Sequence, residues 1–170
     1  MSTLLQTLYG YHGRANMELL DRLETVDRRK YDAELETAVR LISHYYVVSR
    51  IFAGHLQGLP HGFTTDNLDD TLALTELRAS VAASDEWYLG YVRDTSPSIL
   101  SEAVSFTFTD GDKGQMTREE MLLHVALHAT LHRGEVSRIL WQLSITPPWE
   151  TLAVHLHQAQ PARRLQGNRE

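Results

Sequence analysis

The chain of 170 residues contains no cysteine. Disulfides, thiolate nucleophiles and Cys-type zinc sites are thereby excluded, so any thiol chemistry needs a thiol from outside. The absence is also compatible with a reducing cytoplasm. Basic charge is scarce: 16 Lys and Arg stand against 22 Asp and Glu, for a net charge of −6. Phosphate contacts need a basic face, so nucleic acid is not an expected partner. No apolar run approaches the roughly 18 residues of a spanning helix, and no membrane association is expected. The first twenty residues, MSTLLQTLYGYHGRANMELL, lack a charged n-region and an unbroken apolar core. A secretory signal is therefore not expected, and a cytoplasmic location is. The H-E-x-x-H element is missing too, so no glutamate stands beside a first helical histidine as a base, which weighs against peptidase chemistry.

What is present is an ordinary folded composition, 42% hydrophobic and 22% charged, in a chain long enough to bury one sizeable core. One domain is expected over residues 1–160, followed by a polar, basic tail at 161–170. Four long helical patterns and one hairpin can be read along it. The first, about Thr3 to Leu23, places Leu4, Leu5, Leu8, Tyr11, Ala15, Leu19 and Leu23 inward. The second, Glu34 to Leu56, turns Ala38, Leu41, Ile42, Tyr45, Val48, Ile51 and Phe52 inward and is broken by Gly58, Pro60 and Gly62. The third, about Asp70 to Arg93, carries Leu72, Leu74, Leu77, Val81, Trp87, Tyr88 and Val92, with Asp69 or Asp70 as N-cap.

Between the third and fourth helices, Val104, Phe106 and Phe108 alternate with polar residues. Asp110-Gly111 and Lys113-Gly114 are expected to supply a hairpin turn. Thr117 and Glu120 then form a capping box that opens the fourth helix, which ends before Pro147-Pro148. Four such helices fold most simply as an all-α four-helix bundle. The short link from Thr25 to Asp32 suggests that helices one and two are antiparallel neighbours. The link from Gly58 to Asp70 could run the length of a helix or cover one end, so loop length alone leaves the topology open.

The chemistry is concentrated in EEMLLHVALHATLHRGEVSRIL, from Glu119 to Leu140. His124, His128 and His132 recur every four residues and so stack on one helical face. Two such imidazoles can hold one transition metal from a single rigid rod. A third donor must come from elsewhere, and His44, inside the apolar pattern of the second helix, is the best candidate. Three in a row plus a fourth on another helix favour a metal site over purely structural histidines. His12, His55, His61, His155 and His157 have no partner spacing and are expected at the surface or at caps. Arg133 lies about 100° round the helix from His132, so an exposed or interface salt bridge is expected, with a substrate contact the minority reading. Gly134 costs about 1 kcal/mol against Ala inside a helix, which suggests close helix packing. Glu119 is expected to be solvated, and Trp87, Trp141 and Trp149 to be core or interface aromatics.

The order of a central helical His44, an F-T-F-T-D-G hairpin and then M-T-R-E-E-M-L-L-H-V-A-L-H-A-T-L-H-R-G-E resembles the DinB family of bacterial metal-binding helical bundles. Arg14-Ala15-Asn16, Pro147-Pro148-Trp149, Leu156-His157 and Pro161-Ala162-Arg163-Arg164 support it, and the likeness spans nearly the whole chain. The resemblance implies an up-down-down-up bundle with a short β-hairpin between helices three and four, often a homodimer. It also implies one nickel or zinc ion on His44, His128 and His132, with His124 outside the usual three. Glu135 departs from the family's common H-R-G-Q, and an added carboxylate one turn from His132 could alter its hydrogen bonding or the local charge. Three neutral imidazoles leave a coordination position open, the arrangement of a catalytic zinc site. The resemblance implies a small-molecule S-transferase using a low-molecular-weight thiol, or a hydrolase. The rival reading is a non-catalytic metal-binding, stress-responsive (damage-inducible) protein.

Overall fold

The computed structural model describes residues 3–68 and 70–164. Helices α1 (Thr3–Glu24), α2 (Asp32–Gln57) and α3 (Leu74–Asp94) are followed by a single turn, α4 (Pro97–Leu100). Strands β1 (Ala103–Thr107) and β2 (Lys113–Thr117) form a hairpin, and α5 (Arg118–Gln142) and α6 (Leu152–Ala159) complete the helices before a 3-10 turn at Pro161–Arg163. Among the described residues no helix is long and apolar enough to cross a membrane.

α1 packs on α3 and α5, and α2 packs on α5 and α3. The expected pairing of α1 with α2 is thus corrected: each makes its main contacts with a later helix. The link between them turns tightly through Thr25, Val26, Lys30 and Tyr31, yet both helices contribute to one core. Two apolar clusters fill the interior. One joins Leu5, Tyr9, Val47, Phe52, Tyr88, Val92, Met121 and Leu122. The other joins Leu19, Leu20, Leu23, Ile42, Leu77, Val81, Val136 and Leu140. At about 25 cal/mol per Å² of apolar surface removed from water, these side chains supply the main drive to fold.

Several expected positions shift. Leu4 is 71% exposed, and Leu8 is half-buried. The inward stripe of α1 instead runs Leu5, Tyr9, His12, Asn16, Leu19, Leu20 and Leu23, flanked by Tyr11 and Ala15. It keeps three- and four-residue steps but accommodates two polar side chains. α3 starts at Leu74 with Ala73 as an N-cap that makes no side-chain hydrogen bond. Asp70 is therefore not the cap, and Asp69 lies outside the described residues. Lys113 and Gly114 belong to β2, paired with Thr107 and Phe106, because the turn is confined to 108–112 with Gly111 at φ 96°. Phe108 lies beyond β1 and is largely exposed, as are Trp141 and Trp149. Trp87 does pack, stacking on Tyr91. α6 was not legible as a separate helix, and it buries none of its residues. Of the expected tail, 161–164 continue from α6, and 165–170 lie outside the described residues.

Two local devices aim the helices that matter. α2 ends where Gly58 adopts φ 67°, the left-handed C-cap that glycine takes without a Cβ penalty. α5 begins at the end of β2: Thr117 caps the Glu120 amide while Glu120 returns a carboxylate to the Thr117 amide. Arg118 then donates to the Leu56 carbonyl and to Tyr91 Oη at 3.2 Å. The first turn of α5 is thereby tied to the ends of α2 and α3.

Candidate metal centre

His44 near the middle of α2 faces His128 and His132 on α5. Ring centroids lie 5.0 Å apart for His44–His128, 4.8 Å for His44–His132 and 4.5 Å for His128–His132. One nitrogen from each falls within 4.8 Å of the others. His128 Nε2 and His132 Nε2 are 3.1 Å apart, against about 3.3 Å for two nitrogens on one tetrahedral zinc at 2.0–2.1 Å. The donor set fits a borderline divalent ion such as zinc or nickel, for which imidazole is a preferred ligand.

The far nitrogens show how two of the rings are set. His44 Nδ1 is 2.9 Å from the Asp66 carbonyl oxygen, which can only accept, so Nδ1 carries the proton and Nε2 keeps its lone pair in the neutral ring. His132 Nδ1 is 2.7 Å from Glu135 Oε2, with the same consequence. Glu135, one turn from His132, thus orients one of the three converging rings. Asp66 gave no signal in the sequence, because its contribution is a backbone carbonyl brought over α2 by the link after Gly58. His128 Nδ1 is buried without a hydrogen-bond partner among the described residues. That ring is held by its neighbours: His132 at one edge and the stacked His124 ring at 5.5 Å on the other side.

Burial, and then the neighbouring His132, His44 and His124, push the His128 pKa down to about 4. Burial also lowers that of His124. Resistance to protonation keeps the imidazoles in the form that binds metal. His124 does not join the converging set; its ring lies against Phe52 and His128.

A cleft of about 400 Å³ runs between α2 and α5, lined by Glu34, Thr37, Leu41, Glu135, Arg138, Ile139 and Gln142 and by none of the three histidines. Glu135 therefore touches both His132 and this cleft. Two larger clefts, of about 480 Å³ and 590 Å³, lie away from the histidines, on the α1–Trp149 side and along α3.

A second polar group surrounds the next residue of α5. Arg133 is fully buried, which corrects the expectation of an exposed or interface salt bridge. Its Nε donates to Glu150 Oε2 at 2.7 Å. Its terminal nitrogens donate to Asn16 Oδ1 at 2.9 Å and to Thr130 Oγ1 at 2.9 Å. His12 is buried as well, not at the surface: its Nε2 lies 3.2 Å from Asp85 Oδ1, and Asn16 Nδ2 donates to the same carboxylate. Tyr45 Oη completes the group by donating to Asn16 at 3.3 Å. The reason is geometric. A rotation of 100° carries Arg133 away from α2 but toward α1, and α5 packs on both helices. His12 and Asn16, four apart on the α1 stripe, were the available signal; Glu150, beyond the end of α5, offered none. The other histidines without partner spacing are partly buried: His55 stacks edge-on to His61, and His157 Nδ1 reaches the Ala153 carbonyl. Gly134 has nothing within 4 Å of where a Cβ would sit, so close packing within the chain does not explain it.

Comparison with known proteins agrees with this geometry. The DinB family model matches residues 1–165, and the chain belongs to the DinB family. Protein DinB of Bacillus subtilis (strain 168) is 27% identical over 155 residues, covering 84% of this chain and 87% of that protein. No solved structure matches the chain significantly.

Proposed function

We propose that this protein is a cytoplasmic, metal-dependent enzyme that acts on a small molecule, with His44, His128 and His132 as the ligands of one zinc or nickel ion. The observation that carries the reading is the convergence of three imidazole nitrogens, from two facing helices, within 4.8 Å of one another. Three protein ligands leave at least one position for substrate, and His124 does not close it. When bound, such an ion supplies Lewis acidity to an external thiol or to water. The chain's own residues set the geometry: the Asp66 carbonyl and the Glu135 carboxylate hold two Nδ1 protons and turn both Nε2 lone pairs inward. Because the chain has no cysteine, an S-transfer would use a low-molecular-weight thiol as co-substrate. That reaction is the proposed activity, with hydrolysis as its nearest variant. The scaffold we infer is one domain over residues 1–160, an up-down-down-up bundle of α1, α2, α3 and α5. The contacts of α2 with α5 and of α1 with α3 support that topology.

The test is metal analysis of untagged protein followed by cobalt substitution. One equivalent of metal, lost in His44→Ala and His128→Ala, is expected. Thiols or small anions should then shift the visible spectrum of the cobalt form. A cobalt spectrum indifferent to every thiol and anion would refute the open site and favour the non-catalytic, stress-responsive reading. Absence of stoichiometric binding would refute the centre itself.

A further inference from the structure

The three clefts differ in how their charges are engaged. On the α1–Trp149 side, Glu18 pairs with Arg14 and Asp21 with Arg78. Along α3 the lining charges are all acidic, and Asp94 pairs with Arg93. The cleft between α2 and α5 instead carries Glu34, Glu135 and Arg138 on its walls. Among the described residues neither Glu34 nor Arg138 forms an ion pair. Charges of both signs therefore line one cleft without closing on each other. Glu135 is turned toward His132 and uses only Oε2 there, which leaves Oε1 for another partner. Leu41 and Ile139 add an apolar wall between the charged ends.

We propose that this cleft binds a small zwitterion, an α-amino acid with an apolar side chain. Its ammonium goes to the carboxylates of Glu34 and Glu135, its carboxylate to Arg138, and its side chain to Leu41 and Ile139. A simple anion would face two carboxylates, and a simple cation would face the guanidinium. A ligand with both charges satisfies the walls together. The planar guanidinium presents paired N–H groups that match a carboxylate. The volume of about 400 Å³ suits a small molecule, since ligand sites run from about 300 to 1,000 Å³. Glu34 and Arg138 are exposed, so each ion pair contributes a factor of only about three to five, and the affinity is modest, with a Kd in the millimolar range. A bound ligand touches Glu135, the residue that orients His132, which places the site where it can influence the histidine cluster. The inference rests on the cleft and its charges and does not depend on what the metal centre does.

Isothermal titration calorimetry with L-leucine as the probe tests it, on the full chain as purified and again after a chelator has removed metal. L-Leucine should bind both preparations with the same Kd, because the cleft and not an ion receives it. Glycine, without the apolar side chain, should bind at least about tenfold more weakly. 3-Methylbutylamine keeps the carbon chain of leucine without the carboxylate, and 4-methylpentanoate keeps it without the ammonium. Each should bind about three- to fivefold more weakly than leucine. Arg138→Gln should weaken leucine by a similar factor and leave the amine unweakened, so that the amino acid loses its advantage over it. Glu34→Gln should weaken leucine and the amine but not 4-methylpentanoate. Both substitutions are at exposed positions and should leave far-ultraviolet circular dichroism unchanged. Absence of binding at millimolar leucine, binding that disappears with the metal, or a leucine-to-amine ratio that Arg138→Gln does not alter would overturn the inference.

Discussion

Removing Glu150 while leaving Arg133 in place should be among the most damaging single changes in the protein. The Arg133 side chain is 0% exposed and that of Glu150 11% exposed, with 2.7 Å between Nε and Oε2. Burial raises the Glu150 pKa, and the nearby Arg133 guanidinium only partly offsets it. Desolvation therefore exceeds the attraction, as is common for buried ion pairs. The two halves of the pair then predict different outcomes. Glu150→Ala strands a guanidinium that cannot shed its proton, at a cost of about 3–5 kcal/mol. At roughly 2–4 °C per kcal/mol for a chain of this size, the melting temperature should fall by about 6–20 °C. Arg133→Met leaves a carboxyl at the edge of the core that can protonate, and the loss should be smaller. The double variant Arg133→Met/Glu150→Leu removes both charges, while Asn16 retains the Tyr45 hydroxyl as a donor. It should melt well above Glu150→Ala. Calorimetry on metal-loaded protein at neutral pH provides the comparison. A Glu150→Ala melt within a degree of the parent, or a double variant no better than that single, would refute the account of a buried cation held by one carboxylate.

Glu135→Leu should weaken metal affinity by about 10–100-fold through loss of the contact that orients His132, whereas Glu135→Gln, which still accepts from Nδ1, should lose less; competition with a chromophoric chelator reads both. Equal losses in the two would argue that charge, not orientation, is what Glu135 contributes. Metal-free protein should lose stability as pH falls. The folded pKa of His128 lies at about 4, and those of His124 and His55 are also lowered, so the unfolded chain binds the extra protons. Stability is then full above the ordinary histidine value near 6.5 and declines below it toward pH 4. Urea melts at pH 7.5 and about 5, with His128→Leu losing part of the difference, provide the measurement; a flat profile would refute the burial argument.

How much of this was legible follows from which signals are local. The converging histidines could be read because two lie four residues apart on one helix, and the third is a lone histidine in an otherwise apolar stripe. The capping box and the hairpin were visible because their partners lie within three to fourteen residues. The Arg133 group was not visible, because it depends on α1 meeting α5 across more than a hundred residues of sequence. Taking the α1 stripe as purely apolar brought in Leu4 and passed over His12 and Asn16. The three-four rhythm was right, and Leu5, Tyr11, Ala15, Leu19 and Leu23 are buried as expected, but the polar pair sits inside the same stripe. Boundaries failed where propensity had no helper: Asp70 is a good capping residue, but α3 does not begin until Leu74.

These outcomes meet on α5, and they explain why its periodicity is hard to interpret. An amphipathic helix reveals its orientation by having one apolar face, but α5 has work on three. Toward α2 it presents His128 and His132, toward α1 it presents Arg133, and outward it presents Leu123, Leu127 and Leu131. With apolar residues on nearly every side, the histidine spacing is the one strong signal of phase, and it locates the histidine cluster without locating the core. The consequence is physical as well as analytical. His132 and Arg133 are consecutive, so the same backbone turn that aims a ligand at His44 also anchors the buried cation to Glu150. A displacement of α5 that loosens the ion pair must therefore move a ligand, and Glu150→Ala should lower metal affinity as well as stability, although Glu150 is not one of the three converging ligands.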